Sequence, residues 1–469
     1  MDQPLYEKIA DQIEQNIKEG MFIPGSKIPS VRKSSKQLAV SVATVLQAYG
    51  LLEDRGIIKA RPQKGYFVQE QVTSYAESTT LEVNTLEAIP AVVTDLLYAS
   101  QNPDITQFGA AIPDTQFLPI RQLQRSVGRL MRLKPEICAA YEFVPGSLNL
   151  RRQIAIRMLD AGYHAQPDEI VITLGCQNAL MHALQATTQP GDIIAIETPT
   201  YHGLLQAVNL LKLKAIEIPC HIETGLDLDA LEQAISEWPV KACVVTPSHQ
   251  NPTGSVMDLE SRKRLLKMCK TGKVPIIEDD VYGELNYHEQ RIPSIKSLDG
   301  ASNVIYCSSF SKSIAPGFRI GWIIAGKHQQ EIEQLAYVQS LAIPTLNQKA
   351  IASFLENGAY DRHLRKTRQI YAANLQQIQQ AILQHFPIGT FTSMPKGGFL
   401  LWIELPKSIN ALTLYELALK QGIGTMPGVA FDLSQSFTHH LRMNYAINWD
   451  KSTYNAIRQL GQLIENIMK

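Results

Sequence analysis

Leu5, Ile9, Ile13 and Ile17 fall at every fourth position of "LYEKIADQIEQNIKEG", with acids, lysines and amides between them. That spacing predicts an amphipathic helix over 5–19, closed by Gly20. Pro29 opens a short second helix, "SVRKSSKQLAV". Ser41 caps a third, "VATVLQAYGLLEDRG", whose Val45, Tyr49 and Leu52 form a stripe for burial and which Gly56 stops. Two further apolar pieces, "IIKARP" and "YFV", flank the turn "PQKG" and predict a hairpin. Residues 69–90 are polar, rich in Ser, Thr and Glu, and without strong periodicity. Beyond them the pattern changes. From about 91 onward short apolar runs alternate with helical stretches: "EIVITLG", "DIIAIETP", "ACVVTP", "VPIIEDDV", "VIYCSSFS" and "RIGWIIAG". Such alternation predicts an α/β unit, a mostly parallel sheet with helices on both faces. The expected organisation is a first domain at 1–69, a linker at 70–90 and a second domain at 91–469.

Length and composition agree with this division. The chain has 469 residues, 45% hydrophobic and 19% charged, ordinary values for a globular protein of at least two domains. No apolar run is long enough to span a membrane, and the N-terminus has acids where a signal peptide needs an apolar core. Six scattered cysteines show neither CxxC nor metal-ligand spacing, so no metal is expected. They read as reduced thiols of a cytoplasmic protein.

Charge alters the picture for the first domain. The chain is neutral overall, yet residues 24–68 hold eight Lys/Arg against Glu53 and Asp54. Three helices followed by a hairpin make a winged helix-turn-helix. Ser41, Thr44 and Gln47 then lie on the first turns of the second helix of the pair, away from the buried stripe, where base edges are read. Arg32 begins the preceding helix, and Arg61 and Lys64 sit on the wing, positions suited to phosphate or minor-groove contact. "PLYEKIADQI", "GSKIPSVRKSSKQLAVS", "TVLQAY" and "LLEDRGIIKARPQKGYFV" resemble the GntR-type winged-helix DNA-binding domain over residues 4–68. Double-stranded operator DNA is the partner this implies. One departure is Val42, where many members carry Arg after the cap Ser.

In the second domain the polar residues cluster where apolar runs end, which is where open α/β sheets bind ligands. "TLGCQNAL" ends a strand and opens a helix. Gly175 permits close backbone approach, and the N–H groups of Gly175, Cys176 and Gln177 form either an anion site or simply a tight strand-to-helix turn. "PSHQNPTG" places Asn251 in a loop. "IIEDDVYGEL" ends a buried strand in acids, with Asp279 and Tyr282 three apart so that they can converge on one ligand. "SSFSKSIAPGFRIGW" surrounds Lys312 with serines, followed by a Pro-Gly turn and by Arg319 on an expected strand.

Together these motifs resemble fold-type I pyridoxal-phosphate enzymes, the aspartate-aminotransferase superfamily, over roughly 108–465. The resemblance implies the fold of that family: a large domain around a mostly parallel seven-stranded sheet, with a smaller α+β lobe. It also implies pyridoxal 5'-phosphate as cofactor. Lys312 is then the residue that joins the cofactor aldehyde. Ser309, Ser311, Arg319 and the 175–177 turn hold its phosphate, and Asp279 pairs with the ring nitrogen. Asn251 and Tyr282 bond the phenolic oxygen, and Tyr201, in "ETPTYHG", stacks on the ring. Arg442, in "HLRMNYA", matches the arginine that forks a substrate carboxylate. Tyr141 matches a tyrosine that reaches the phosphate of a neighbouring subunit, which implies a homodimer. Leu174 and Cys176 depart from the family, which often has Ser at the first position and Ser or Thr at the second. "YHGLLQAVNLL" offers no cation for a second substrate carboxylate.

The order of the parts resembles the MocR-type subfamily of GntR regulators. This implies a DNA-binding transcriptional regulator whose second domain senses pyridoxal phosphate or an amino compound, an amino acid or amine. An active aminotransferase with an accessory DNA-binding module is the alternative, and full or partial transaminase activity stays open. A cofactor-free effector domain is a third reading.

Overall fold

A computed structural model describes residues 4–18, 27–38, 40–55, 57–61, 65–68, 81–84, 94, 98–99, 102–288, 290–299 and 303–469. The chain divides into two compact units, Met1–Ser74 and Tyr75–Lys469. The linker expected at 70–90 lies mainly outside the described residues. Within it, Val83–Asn84 form a short strand on the edge of the large sheet.

The first unit is built as its pattern predicts. Helices α1 (Leu5–Lys18), α2 (Val31–Leu38) and α3 (Val42–Asp54) precede strands β1 (Ile58–Arg61) and β2 (Gly65–Val68). The strands pair antiparallel with Ile58 opposite Val68 and Arg61 opposite Gly65. Ile9, Ala10 and Ile13 of α1 pack against Val45, Ala48, Tyr49 and Leu52 of α3, and Ile28, Ile58 and Val68 complete the core. Tyr49 is buried with its hydroxyl satisfied, donating to the Pro29 carbonyl at 2.7 Å, so the third helix is tied to the start of the second. Arg55, one of the eight basic residues of this segment, is held by Asp11 and Glu14 of α1.

The second unit is a large sheet with a smaller lobe. The sheet strands are β3 (Val83–Asn84), β4 (Ile170–Thr173), β5 (Ile193–Thr198), β6 (Lys214–His221), β7 (Val240–Val245), β8 (Ile276–Asp279), β9 (Val304–Ser309) and β10 (Gly321–Ile324). Their order is β3-β6-β5-β7-β8-β9-β10-β4, with Gly225–Leu226 paired to β6 off this path. Strands β4 to β9 run parallel, while β10 is antiparallel to both its neighbours. Every residue of β4, β8, β9 and β10 is buried. This is why those runs begin as unbroken apolar stretches rather than alternating, with Glu278, Asp279, Ser308 and Ser309 confined to the strand ends.

The smaller lobe carries four antiparallel strands in the order Phe391–Thr392, Leu400–Glu404, His440–Asn444, Met426–Pro427. Helices Ala359–His385 and Lys451–Met468 pack together over one face. Thr106–Gln107 adds to Ile423–Gly424, so both ends of the unit build this lobe. One apolar core runs through both parts, from Ile172 and Tyr306 to Leu401, Leu441 and Ile457. All six cysteines are free. No helix among the described residues is long and apolar enough to cross a membrane.

Candidate functional site

The C-terminal ends of the parallel strands gather the residues that the sequence singled out. Strand β4 leads through Leu174 to Gly175, which caps helix Cys176–Thr187 with φ 85° and ψ 174°. Strand β5 leads to Tyr201, at the head of helix His202–Leu210. Strand β7 leads to the loop with Asn251. Asp279 ends β8, with Tyr282 three residues on. Ser309 ends β9, and Lys312 follows it.

Gly175 occupies a backbone region that only glycine enters readily, and a Cβ there would lie 2.6 Å from Arg319 Nη2. That nitrogen donates to the Leu174 carbonyl at 2.9 Å, and Nη1 reaches Ser311 Oγ at 3.4 Å. The turn and Arg319 therefore clasp each other, with the first N–H groups of the helix beside a cation. Arg319 was expected on the strand. It sits two residues before β10, in left-handed backbone (φ 53°, ψ 45°) at the end of a short 3-10 turn. The Pro-Gly turn carries the chain round before the ladder can begin. Replacing Gly175 by Ala is expected to cost about 1–3 kcal/mol, the range for such a backbone strain. Urea denaturation of the two proteins measures it, and equal midpoints would exclude this conformation.

Lys312 is half-buried, and its Nζ donates to the Ala111 carbonyl at 2.7 Å, 5.9 Å above the Tyr282 ring. Burial and the neighbouring Arg442 bring its pKa down to about 8, against the opposing pull of Asp279 and Cys176. Asp279 is 7% exposed, and burial raises its carboxyl. Its Oδ1 accepts from Cys176 Sγ and from the Val281 N–H, each at 3.2 Å. The Cys176 thiol is thus committed to Asp279, so only its backbone N–H remains for any ligand at the turn. Gln177 likewise spends its side chain on the Gly203 carbonyl, at 2.8 Å.

Arg442 lies on strand His440–Asn444 with no exposed surface. Nη1 donates to Asn251 Oδ1 at 3.0 Å, Nη2 donates to the Gly109 carbonyl, and Nε has no hydrogen-bond partner among the described residues. The guanidinium stands 5.0 Å from the Phe431 ring centre. Burial lowers its pKa to about 10, which leaves it cationic at neutral pH. No carboxylate pairs with it among the described residues. A buried cation without a counter-ion is a site prepared for an anion.

Tyr282 is buried edge-on to Phe399, and Tyr201 is half-buried against His202. Ser309 Oγ accepts from the Ser311 N–H at 3.2 Å. Tyr141 stands apart: it is 69% exposed and stacks on Phe143, itself 53% exposed. The sequence reading missed the carbonyls of Gly109 and Ala111, which receive Arg442 and Lys312. The run of small residues Gly109-Ala110-Ala111 was the available signal, since only small side chains let that backbone come so close. No metal was expected. Among the described residues, Glu404, His439 and His440 come within 4.8 Å of one another on the smaller lobe, where Glu404 and His440 are opposite residues of paired strands.

In the first unit Ser41 Oγ accepts from the Thr44 N–H at 3.1 Å and meets Thr44 Oγ1 at 2.8 Å, so these two side chains cap α3 together. Gln47 and Arg32 are exposed. Val42 and Leu46, also exposed at 51% and 53%, add an apolar flank that the sequence reading did not assign. Lys64 and the side chain of Arg61 lie outside the described residues.

The comparisons with known proteins divide along the same boundary. Residues 5–68 match the family of bacterial regulatory proteins of the gntR type, and residues 104–459 match aminotransferase class I and II. The HTH-type transcriptional regulator YdcR of Escherichia coli is 37% identical over 98% of this chain and 99% of its own length. The 2-aminoadipate transaminase of Thermus thermophilus is 31% identical over 81% of this chain and 94% of its own. A crystal structure of LysN, the alpha-aminoadipate aminotransferase of Thermus thermophilus complexed with N-(5'-phosphopyridoxyl)-L-leucine, superimposes with a TM-score of 0.76 at 30% identity. The match covers 82% of this chain and 96% of that one. With a gntR unit joined to a class I and II aminotransferase unit, and a regulator of the same layout matching end to end, the chain belongs to the GntR-type transcriptional regulators of MocR-like architecture.

Proposed function

We propose that this regulator docks its winged-helix unit on duplex DNA and holds pyridoxal phosphate in its second unit, where the cofactor or an amino compound that condenses with it is the signal. The observation that supports this most directly is the Lys312 amine. Its pKa of about 8 leaves a sizeable neutral fraction near pH 7.5, as attack on an aldehyde requires.

The other residues suit the same group. The glycine turn and Arg319 offer N–H donors and a cation to a phosphate. Asp279, raised by burial, gains a partner if a protonated ring nitrogen meets it. Cys176 and the Val281 N–H fix its orientation through one oxygen, leaving the other for that contact. Asn251 Oδ1 accepts from Arg442, which leaves the amide N–H groups as the donors it can offer a cofactor oxygen. Bound pyridoxal phosphate supplies an electron-withdrawing ring that stabilises negative charge on the α-carbon of an attached amino compound. Arg442 holds a carboxylate of that compound in its planar fork. The exposed Tyr141 and Phe143 support a homodimer in which Tyr141 reaches the neighbour's phosphate.

An active aminotransferase with an accessory DNA-binding module is the second reading, favoured by the presence of Lys312, Asp279 and Arg442 in one site. Turnover of an amino donor and an oxo acid at an enzyme-like kcat, roughly 1–10³ s⁻¹, would decide for it.

The DNA side is tested by salt titration. Each phosphate contact contributes a slope of about −0.9 to log affinity against log salt. Arg32→Ala should flatten that slope by about one contact, uniformly across sequences. Gln47→Ala should leave the slope and relax base preference, by about 1–3 kcal/mol at the position it reads. An unchanged preferred site in Gln47→Ala would mean that another face of α3 reads the bases.

A further inference from the structure

Helix Ile120–Leu133, "IRQLQRSVGRLMRL", belongs to the second unit and takes no part in the site above. Between Asp114 and Glu136 the sequence has four arginines, one lysine and no acid, in a chain whose charges balance overall. Arg121, Arg125, Arg129 and Arg132 recur at i, i+4, i+8 and i+11. At about 100° per residue they fall within an arc of roughly 80°. The opposite arc carries Leu123, Val127 and Leu130, with Leu123 2% exposed, and the helix packs on Thr345–Glu356. All four arginines are exposed, and none has an ion-pair partner among the described residues.

An ordinary solvated helix face mixes charges of both signs, and exposed arginines usually find acids three or four residues away. This face has none. We infer that the arginine stripe of helix Ile120–Leu133 is a second seat for duplex DNA, gripping the phosphate backbone without reading sequence. Guanidinium forks match phosphate oxygens better than ammonium groups do. The stripe is about 16 Å long, the axial rise of roughly five base pairs. An anionic membrane is the less suitable partner. A membrane-surface helix presents a broad apolar face beside its cations. Here Leu123 is spent on the protein core and Val127 and Leu130 are half-buried, which leaves Ile120, Met131 and Leu133 as separate exposed side chains.

The inference rests on the reading that the chain binds DNA, and the experiment separates the two. Binding of the full-length protein to a long mixed-sequence duplex is followed over a series of salt concentrations. The variants are R121Q/R125Q/R129Q/R132Q, its charge-keeping counterpart with four lysines, and Arg32→Ala. Glutamine and lysine are good helix formers, so the exposed helix persists in both, and circular dichroism checks this. The glutamine variant should bind at least tenfold more weakly at low salt and flatten the slope by about 2, two or more phosphates lost. The lysine variant should keep the wild-type slope. If the glutamine variant matches the wild type while Arg32→Ala flattens the slope, the stripe is no DNA contact and the regulator reading stands. If the wild type binds no duplex, both fall. If the stripe instead governs sedimentation with phosphatidylserine–phosphatidylcholine vesicles and leaves DNA binding untouched, the partner is a membrane and the inference is overturned.

Discussion

A Lys312→Ala variant is expected to fold as the wild type does and to lose all covalent attachment of pyridoxal phosphate. Incubation with the cofactor, borohydride reduction and mass spectrometry of the digested protein read this directly. The wild type should carry the adduct on the peptide that contains Lys312. The effect should be near all-or-none, for a reason that concerns the amine rather than its mere presence. An ordinary lysine, with pKa near 10.4, is neutral in only about one molecule in a thousand at pH 7.5. At about 8 the Lys312 amine is neutral in about one molecule in four, roughly two hundredfold more often. The sign follows from the cause. Burial and Arg442 disfavour the ammonium form, so attachment should quicken as pH rises and level off above about 8. Removing the cation with Arg442→Ala should move that midpoint upward, and removing the anion with Asp279→Asn should move it downward. An equal adduct in Lys312→Ala, on another peptide, would sink the assignment.

The parts of this molecule that were legible in its sequence are those where one side chain's surroundings follow from local periodicity. Val45, Tyr49 and Leu52 are buried because a 3.6-residue repeat puts them on one side of α3, whatever the rest of the chain does. Strands β8 and β9 read as strands because each opens on an apolar run without alternation, as a strand covered on both faces does. Strand β6 escaped notice because "KAIEIPCH" carries Lys214, Glu217 and Pro219. Glu217 is tolerated there because it accepts from the Leu433 N–H of a distant segment, a partner no local pattern reveals. The reversed direction of β10 was also hidden, since a uniformly apolar strand has no polarity to read. The eleven residues from 310 to 320 held the clue: a parallel return needs a longer crossover, normally a helix.

The site shows the same division. That Lys312, Asp279 and Gly175 lie at strand ends follows from the alternation of elements. How their side chains pair does not. Cys176 turns its thiol to Asp279, 103 positions on, a partner that nothing next to it in the sequence announces. Arg442 meets Asn251 and Gly109, 191 and 333 positions away in the chain, and nothing at any of the three announces the others.

Arg442→Ala is expected to weaken the binding of a carboxylate-bearing amino compound by roughly 30- to 150-fold, the loss of about 2–3 kcal/mol of charge-assisted hydrogen bonding. It should leave duplex binding in the absence of that compound unchanged. The arginine is entirely enclosed, and its fork is already occupied by Asn251 and Gly109. Arg442 belongs to the smaller lobe, whereas Asn251 follows a strand of the large sheet. A carboxylate that docks on both Nη groups must displace these bonds, one of which joins the smaller lobe to the loop after a large-sheet strand. Exchange of the Arg442–Asn251 bond is then the expected route by which occupancy is felt outside the site. Linkage then fixes a second outcome. If the compound changes DNA affinity by some factor, DNA must change affinity for the compound by the same factor, with couplings typically of about 1–3 kcal/mol. The measurement is a titration of a panel of amino acids into the pyridoxal-phosphate-loaded protein, followed by its visible spectrum, with and without bound duplex, for wild type and Arg442→Ala. A compound that binds the wild type through Arg442 and binds equally with and without DNA is no signal for this protein. In that case Arg442 serves substrate binding alone, and the enzyme with an accessory DNA-binding module becomes the better account.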